Sequence, residues 1–247
     1  MPTINSISKI KTLFTPHSQF DIDSLPKSSL TFTQSICSFA SVLNQANIQP
    51  VLLYGTCLGI YRDQKIIEYD TDADFGVRLE SFDELLELTD TLFKAGFYIQ
   101  SRNMYCVTYG VTNTNKTIDV WVIVKRKNPF FRLLGYRWLV DHVNYKANYF
   151  ESFQPTEFHQ QTCFYPTPVE DYLCELYGED WHIPQQNRHA GPRSILSQLL
   201  NAPFVDFKMP SQFSGDNIVG TYKPWFSILL KRFAPNSKLC QLFKHPE

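Results

Sequence analysis

The sequence predicts an α/β protein in which helices flank a mixed sheet. Stretches with apolar residues at helical spacing alternate along the chain with short apolar stretches of strand-like composition. Residues 117–124 (TIDVWVIV) form the most β-prone stretch, while residues 82–96 are amphipathic and end at a glycine, as helices often do. Such alternation is typical of a sheet that is covered by helices.

The first predicted helix lies within residues 28–47. Four apolar residues recur there at helical spacing, namely Phe32, Ile36, Phe39 and Leu43. We expect this helix to pack beside a buried strand at residues 51–54. One continuous helix is expected over residues 82–96, followed by strands over residues 97–102 and 105–112.

The last predicted helix begins after Thr167. Thr167 is expected to cap it, Pro168 to occupy its first position, and Glu170 to reach back as in a capping box. Gly178 is expected to end the helix. We expect residues 180–184 to pack against the sheet.

Composition limits the classes of protein that the chain can belong to. Of its 247 residues, 43% are hydrophobic and 19% are charged, as in an ordinary soluble globular protein. The net charge of −1 argues against a nucleic-acid partner. The six cysteines include no C-x-x-C pair, so we interpret them as reduced thiols. Because no signal peptide or long apolar stretch is evident, we expect a cytoplasmic protein.

An acidic cluster follows the first predicted strand. Asp70, Asp72 and Asp74 run directly into the apolar residues of a second strand. Side chains alternate along a strand, so Asp72 and Asp74 point the same way, with Cα atoms about 6.6 Å apart. Two carboxylates on one face repel each other unless a cation lies between them. The alternative is a solvated strand end with an incidental cluster of charge.

A further carboxylate, Asp119, lies near the start of the most β-prone stretch. A buried carboxylate without a partner is costly, so this side chain needs a cation. On a strand beside Asp72 and Asp74, it would complete a three-carboxylate metal site. The alternative is a salt bridge to Lys116 or Lys125.

Gly55 and Thr56 lie where the first strand is expected to turn into a helix. Free N–H groups at a helix start favour anions, glycine permits close approach, and threonine offers a hydroxyl donor. Arg62, two turns along, can reach a second phosphate as a bidentate donor. The alternative is an ordinary capping turn with a surface arginine.

Three ordered sequence blocks resemble the signature of the LicD/fukutin family. The first reads YGTCLGIYR and continues to IIEYDTDADFGV. The second is IDVW at residues 118–121, and the third is PVEDYLCELYGEDWHIP at residues 168–184. The family is similar to nucleotidyltransferase-fold enzymes that use a divalent metal and a CDP-activated donor.

The resemblance implies a metal-dependent phosphotransferase that moves phosphocholine or a polyol phosphate from a CDP-alcohol to a cell-surface glycan, as in capsule or lipopolysaccharide synthesis. It implies one or two Mg²⁺ or Mn²⁺ ions held by Asp72, Asp74 and Asp119. Asp70 matches the LicD branch and is a candidate base or supporting residue. The implied donor-binding residues are Gly55, Thr56 and Arg62.

Two other functions are compatible with the sequence. The first is a nucleotidyltransferase that uses a nucleoside triphosphate and releases pyrophosphate. The second is a non-catalytic glycan-binding relative, against which the intact acidic triad argues, because a degenerate site has no reason to keep mutually repelling carboxylates.

The resemblance divides the chain into a catalytic domain at residues 1–184 and an extension at residues 185–247. The extension carries 8 basic and 3 acidic residues. It either packs on the catalytic domain or contacts a lipid-linked acceptor at the inner face of a membrane. Residues 125–163 interleave basic and aromatic side chains, and no role is assigned to them.

Overall fold

The computed structural model describes residues 30–102, 105–127, 132–141, 143–145 and 148–185. The helices are α1 Phe32–Gln45, α2 Tyr54–Asp63, α3 Phe82–Glu87, α4 Thr89–Lys94 and α5 Val169–Tyr177, with a 3-10 turn at Leu79–Ser81. The strands are β1 Val51–Leu52, β2 Asp72–Arg78, β3 Phe97–Arg102, β4 Cys106–Val111, β5 Thr117–Lys125, β6 Trp138–Val140, β7 Val143–Tyr145, β8 Phe153–Phe158 and β9 Gln161–Pro166. The α/β class is confirmed.

The main path of the sheet has the strand order β3-β4-β5-β2-β1-β9-β8. β2 pairs with β5 in parallel, and so does β1 with β9, whereas the other neighbours on this path are antiparallel. The β6–β7 hairpin pairs with the last two residues of β5. The sheet is therefore mixed, as the sequence predicts, and β2 lies near its centre.

Helix α1 covers one face of this sheet. Its N-terminus has a complete capping box, in which Thr31 and Gln34 bond each other's backbone N–H groups. The Phe39 ring lies 5.8 Å from that of Phe75 and 5.1 Å from that of Phe97. Both Phe39 and Phe75 are fully buried. The predicted first helix is thus confirmed, and the opposite face of β2 is left for its polar side chains.

The strand expected at residues 51–54 is shorter than predicted. Leu53 still donates its N–H to the Asp74 carbonyl oxygen at 3.1 Å, but its own carbonyl already accepts from Cys57 at 2.9 Å. The chain therefore enters helix α2 at Tyr54. Gly55 and Thr56 consequently lie in the first turn of α2 and not in a separate turn before it.

The single helix predicted over residues 82–96 is wrong, because the chain forms the two helices α3 and α4. The break is at Leu88, whose φ and ψ are −78° and 0°. Thr89 follows it and donates its hydroxyl to the Leu86 carbonyl oxygen at 2.7 Å. A threonine hydroxyl that bonds a nearby carbonyl competes with the regular helical pattern.

The capping box predicted at Thr167 is also wrong. The cap of α5 is Pro168, and no side chain bonds the free N–H groups there. The Thr167 N–H donates to the Tyr149 carbonyl oxygen at 2.9 Å, which holds this residue outside the helix. Gly178 does follow the helix with a φ of +89°, a region that favours glycine, so the predicted end is confirmed.

The stretch without an assigned role, residues 125–163, contributes the β6–β7 hairpin and most of the β8–β9 hairpin. The predicted extension lies outside the described residues, apart from Gln185. Among the helices that the structure describes, none is long and apolar enough to cross a membrane.

Replacing Gly59 with alanine is expected to destabilise the fold by about 1–3 kcal/mol. A Cβ atom at Gly59 would lie 2.7 Å from the Lys65 carbonyl oxygen and 3.0 Å from Cγ1 of Ile67. The loop that follows α2 would have to move. Urea denaturation should show the loss.

Gly55→Ala is the matched control for this prediction, since it lies in the same helix. Its Cβ would meet only the Asp70 carboxylate, at 2.9 Å, and the end of a side chain can move. Its free energy of unfolding should therefore change less than that of Gly59→Ala. Equal effects of the two substitutions would contradict the packing argument.

Candidate active site

Three carboxylates meet where β2 and β5 lie side by side. In the parallel register Asp74 is opposite Asp119, and strand alternation places Asp72 on the same face. One oxygen from each of the three lies within 4.8 Å of the others. The structure thus brings together the residues that the sequence suggested as metal ligands.

The residues around this triad fit a divalent cation. Oδ1 of Asp119 is buried and has no hydrogen-bond partner among the described residues. The lysines considered as ion-pair partners bond elsewhere, because Lys116 donates to the Asp70 carbonyl oxygen and Lys125 pairs with Glu151 at 2.9 Å. Carboxylate oxygens are the ligands that Mg²⁺ and Mn²⁺ prefer.

The electrostatics of the metal-free site oppose its full ionisation. Burial raises the pKa of Asp74 to about 8, and the charges of Asp72 and Asp119 act in the same direction. Burial also raises the pKa of Asp119, while a hydrogen bond with Thr108 acts against this shift. A bound cation would reverse both effects, because positive charge favours the ionised carboxylate.

Two hydrogen bonds hold Asp74 in place. Its backbone N–H donates to Oγ1 of Thr56 at 2.8 Å, and its carboxylate Oδ1 accepts from Nε1 of Trp121, also at 2.8 Å. Thr56 is buried, with 2% of its surface exposed. By accepting this bond the Thr56 hydroxyl joins α2 to β2, and its own O–H can still act as the donor that the sequence suggested. Trp121 belongs to the IDVW block, but its residue type and position alone do not indicate a role at the site.

Gly55, Asp70 and Arg62 line a cleft between α2 and the loop before β2. The Asp70 carboxylate occupies the space next to Gly55. Burial raises the pKa of Asp70, the charge of Asp72 adds to this, and Lys116 opposes it. Asp70 is therefore a carboxyl group that can exchange a proton closer to neutral pH than an exposed aspartate.

The Arg62 guanidinium is only partly available to a ligand. Nε and Nη2 donate to Oδ2 of Asp63 at 3.0 and 2.7 Å, and Nη1 donates to the Trp181 carbonyl oxygen at 3.4 Å. A guanidinium has five N–H donors, and these three bonds engage three of them.

The segment at residues 180–184, expected to pack against the sheet, contacts helix α2. The Trp181 ring lies 5.8 Å from that of Tyr61, and Trp181 lines the cleft together with Tyr177 and Ile183. This segment therefore closes one side of the cleft that holds Gly55, Asp70 and Arg62.

A fourth carboxylate, Asp141, approaches the triad from the β6–β7 turn. β6 is antiparallel to β5 and pairs with its end at Val124, so it runs towards the part of β5 that already pairs with β4. The β6–β7 turn must therefore leave the plane of the sheet. Asp141 has a φ of +48°, and its pKa is raised to about 7 by burial and by the charge of Asp119. In the sequence, the only sign of this position is that Asp141 directly follows three apolar residues, 138–140.

A family model matches residues 47–173, which is just over half of the chain and includes every site residue above except Tyr177, Trp181 and Ile183. The family is described as LicD/FKTN/FKRP, nucleotidyltransferase domain. Together with the mixed sheet and flanking helices, this match confirms the predicted nucleotidyltransferase-like fold class.

The chain is also similar to uncharacterized protein RT0683 of Rickettsia typhi, with 25% identity over 108 residues. The match covers 44% of this chain and 33% of that protein, so the chain spans about a third of that relative's length. Among solved structures, a solution structure of antibiotic-resistance factor ANT(2'')-Ia aligns with a TM-score of 0.40 at 10% identity, covering 54% of this chain and 64% of that one. A crystal structure of ANT(2'')-Ia with adenylyl-2''-tobramycin aligns with a TM-score of 0.40 at 11% identity, covering 56% and 70%.

Proposed function

The chain belongs to the LicD/FKTN/FKRP nucleotidyltransferase-domain family, and we propose that it is a metal-dependent phosphotransferase. In this proposal it moves a phospho-alcohol from a CDP-activated donor to a hydroxyl group of a cell-surface glycan. The observation that carries the proposal is the convergence of Asp72, Asp74 and Asp119 within the region that the family model matches.

The proposed reaction is an in-line displacement at the distal phosphorus of the donor. A bond forms between the acceptor oxygen and this phosphorus, the bond to the bridging oxygen breaks, and CMP leaves. Mg²⁺ or Mn²⁺ held by Asp72, Asp74 and Asp119 would neutralise charge that develops on the phosphoryl oxygens. We assign Asp70 as the acceptor of the hydroxyl proton, because it lies in the cleft beside the triad with a raised pKa.

The charge of the cleft supports a diphosphate donor over a triphosphate. Among the described residues that line the cleft, Arg62 is the one cation. A triphosphate needs further cationic groups for its third phosphate. The single backbone N–H of Gly55 and the Arg62 donors that Asp63 and Trp181 do not engage suit a diphosphate.

The proposed function is tested by measuring which nucleotide product the protein releases. The protein is incubated with CDP-choline, CDP-ribitol, CDP-glycerol and each nucleoside triphosphate, together with Mg²⁺ or Mn²⁺ and a glycan extract. Release of CMP from a CDP-alcohol is expected. Pyrophosphate release from a triphosphate, with no CMP from any CDP-alcohol, would overturn the proposal.

Arg62→Ala is expected to lower CMP release by about tenfold or more, since it removes a charged donor to the diphosphate. The loss should appear in steady-state rates of CMP formation. Lys94→Ala is the matched control, because Lys94 is an exposed cation on α4. Equal rates of CMP release in the two variants would show that Arg62 does not bind the donor.

A further inference from the structure

The indole of Trp121 is bonded directly to one of the three carboxylates of the triad. Its Nε1 donates to Oδ1 of Asp74 at 2.8 Å. Trp121 and Asp119 lie two positions apart on β5, so their side chains share the face that carries the triad.

The position of the indole is itself fixed. Its ring meets that of Tyr54 edge to face, with centroids 6.2 Å apart and an angle of 87° between the planes. The Tyr54 N–H in turn donates to the hydroxyl of Tyr172 on α5 at 3.3 Å. Trp121 therefore contacts a second residue, Tyr54, besides its carboxylate partner.

This bond makes the two carboxylate oxygens of Asp74 unequal. Oδ1 already accepts the indole N–H and has less lone-pair capacity left for a cation than Oδ2, and the carboxylate cannot rotate without losing the hydrogen bond. Thr56 also fixes the backbone of Asp74. The residue thus favours binding through one oxygen, Oδ2, in a set direction.

A one-oxygen ligand discriminates between cations. Mg²⁺ requires nearly ideal octahedral geometry, whereas the larger Ca²⁺ takes six to eight oxygens and often binds both oxygens of one carboxylate. Groups that orient a ligand contribute about 10- to 100-fold to metal affinity.

We propose that Trp121 is a positioning residue that holds Asp74 as a one-oxygen ligand and thereby sets the preference of the site for Mg²⁺ or Mn²⁺ over Ca²⁺. This inference depends on the metal site of the proposed function. Beyond the proposed function, Trp121 influences which cation binds although Trp121 does not itself bind the cation.

The test is calorimetric titration of the full chain with Mn²⁺, Mg²⁺ and Ca²⁺ separately. In Trp121→Phe, Mn²⁺ and Mg²⁺ binding should weaken by about 10- to 100-fold and Ca²⁺ binding by less, so that the preference falls. Trp121→His should retain most of the preference, because Nε2 of histidine occupies nearly the position of the indole Nε1 and can donate there.

Trp138→Phe is the matched control. The Trp138 indole N–H is buried without a partner among the described residues, so its loss should leave the ratio of Mn²⁺ to Ca²⁺ affinity unchanged. Circular dichroism should show that all variants fold.

The outcomes separate this inference from the proposed function. Cation binding in the parent protein with an unchanged affinity ratio in Trp121→Phe would overturn the role of Trp121 alone. A parent protein that binds none of the three cations would overturn both.

Discussion

Replacing Asp74 with asparagine is expected to reduce metal-dependent CMP release by roughly 10³-fold or more while the fold remains intact. An amide has no negative charge and is a poor ligand for a divalent cation. Its oxygen can still accept the Trp121 N–H, and the bond to Thr56 involves only the backbone of residue 74. The structural contacts should therefore survive while the metal site does not.

Asp72→Asn and Asp119→Asn are expected to have the same effect on turnover. Rates of CMP release and Mn²⁺ titrations would measure the loss, and circular dichroism would report the fold. Glu87→Gln provides the control, because Glu87 is an exposed carboxylate on α3. Full activity in Asp72→Asn or Asp74→Asn would end the metal hypothesis.

The metal-free protein is expected to lose stability as the pH rises towards 8. The pKa values of Asp74 and Asp141 are raised to about 8 and about 7, from an ordinary value of 3.8. A raised pKa in the folded state gives stability that is complete below pH 3.8 and is lost as the pH rises through the raised value. For each of these two carboxyl groups, the free energy of unfolding falls by at most about 1.4 kcal/mol per pH unit.

Melting temperatures in a chelator between pH 5 and pH 9 would measure this effect, with Asp74→Asn and Asp141→Asn as comparisons. Each variant should differ least from the parent at pH 5 and melt increasingly above it as the pH rises. Saturating Mn²⁺ should stabilise the parent more at pH 8 than at pH 5, because the cation competes with protons. A difference between variant and parent that does not change with pH would show that these carboxyl groups are not held protonated.

The parts of the fold that the sequence predicts well are those set by local pattern. Helix α1 carries Phe39 and its apolar neighbours at a spacing that only a helix places on one face, and β5 has the composition of a buried strand. The triad is predictable for the same reason. Alternation alone puts Asp72 and Asp74 on one face, and a carboxylate within a buried strand needs a nearby cation.

The parts that the sequence does not predict depend on contacts between distant segments. Asp141 lies near enough for the charge of Asp119 to raise its pKa, because β6 pairs with the far end of β5. Arg62 has the expected location, yet its donors are shared with Asp63 and with a carbonyl more than a hundred residues later. Thr167 has the ideal residue type for a cap, but the backbone bond to Tyr149 holds it elsewhere. For Asp141 and Thr167 a contact between distant segments decides the outcome, and for Arg62 such a contact adds to the pairing with its neighbour Asp63.

The position of β1 has a consequence for synthesis on the ribosome. β1 lies between β2, which follows it by about twenty residues, and β9, which is made about a hundred residues later. Until β9 emerges, β1 is an open edge to which the strand of another nascent chain can add. An edge of two residues exposes few unpaired backbone groups. The brevity of β1 therefore protects the growing chain during the interval in which its sheet is incomplete.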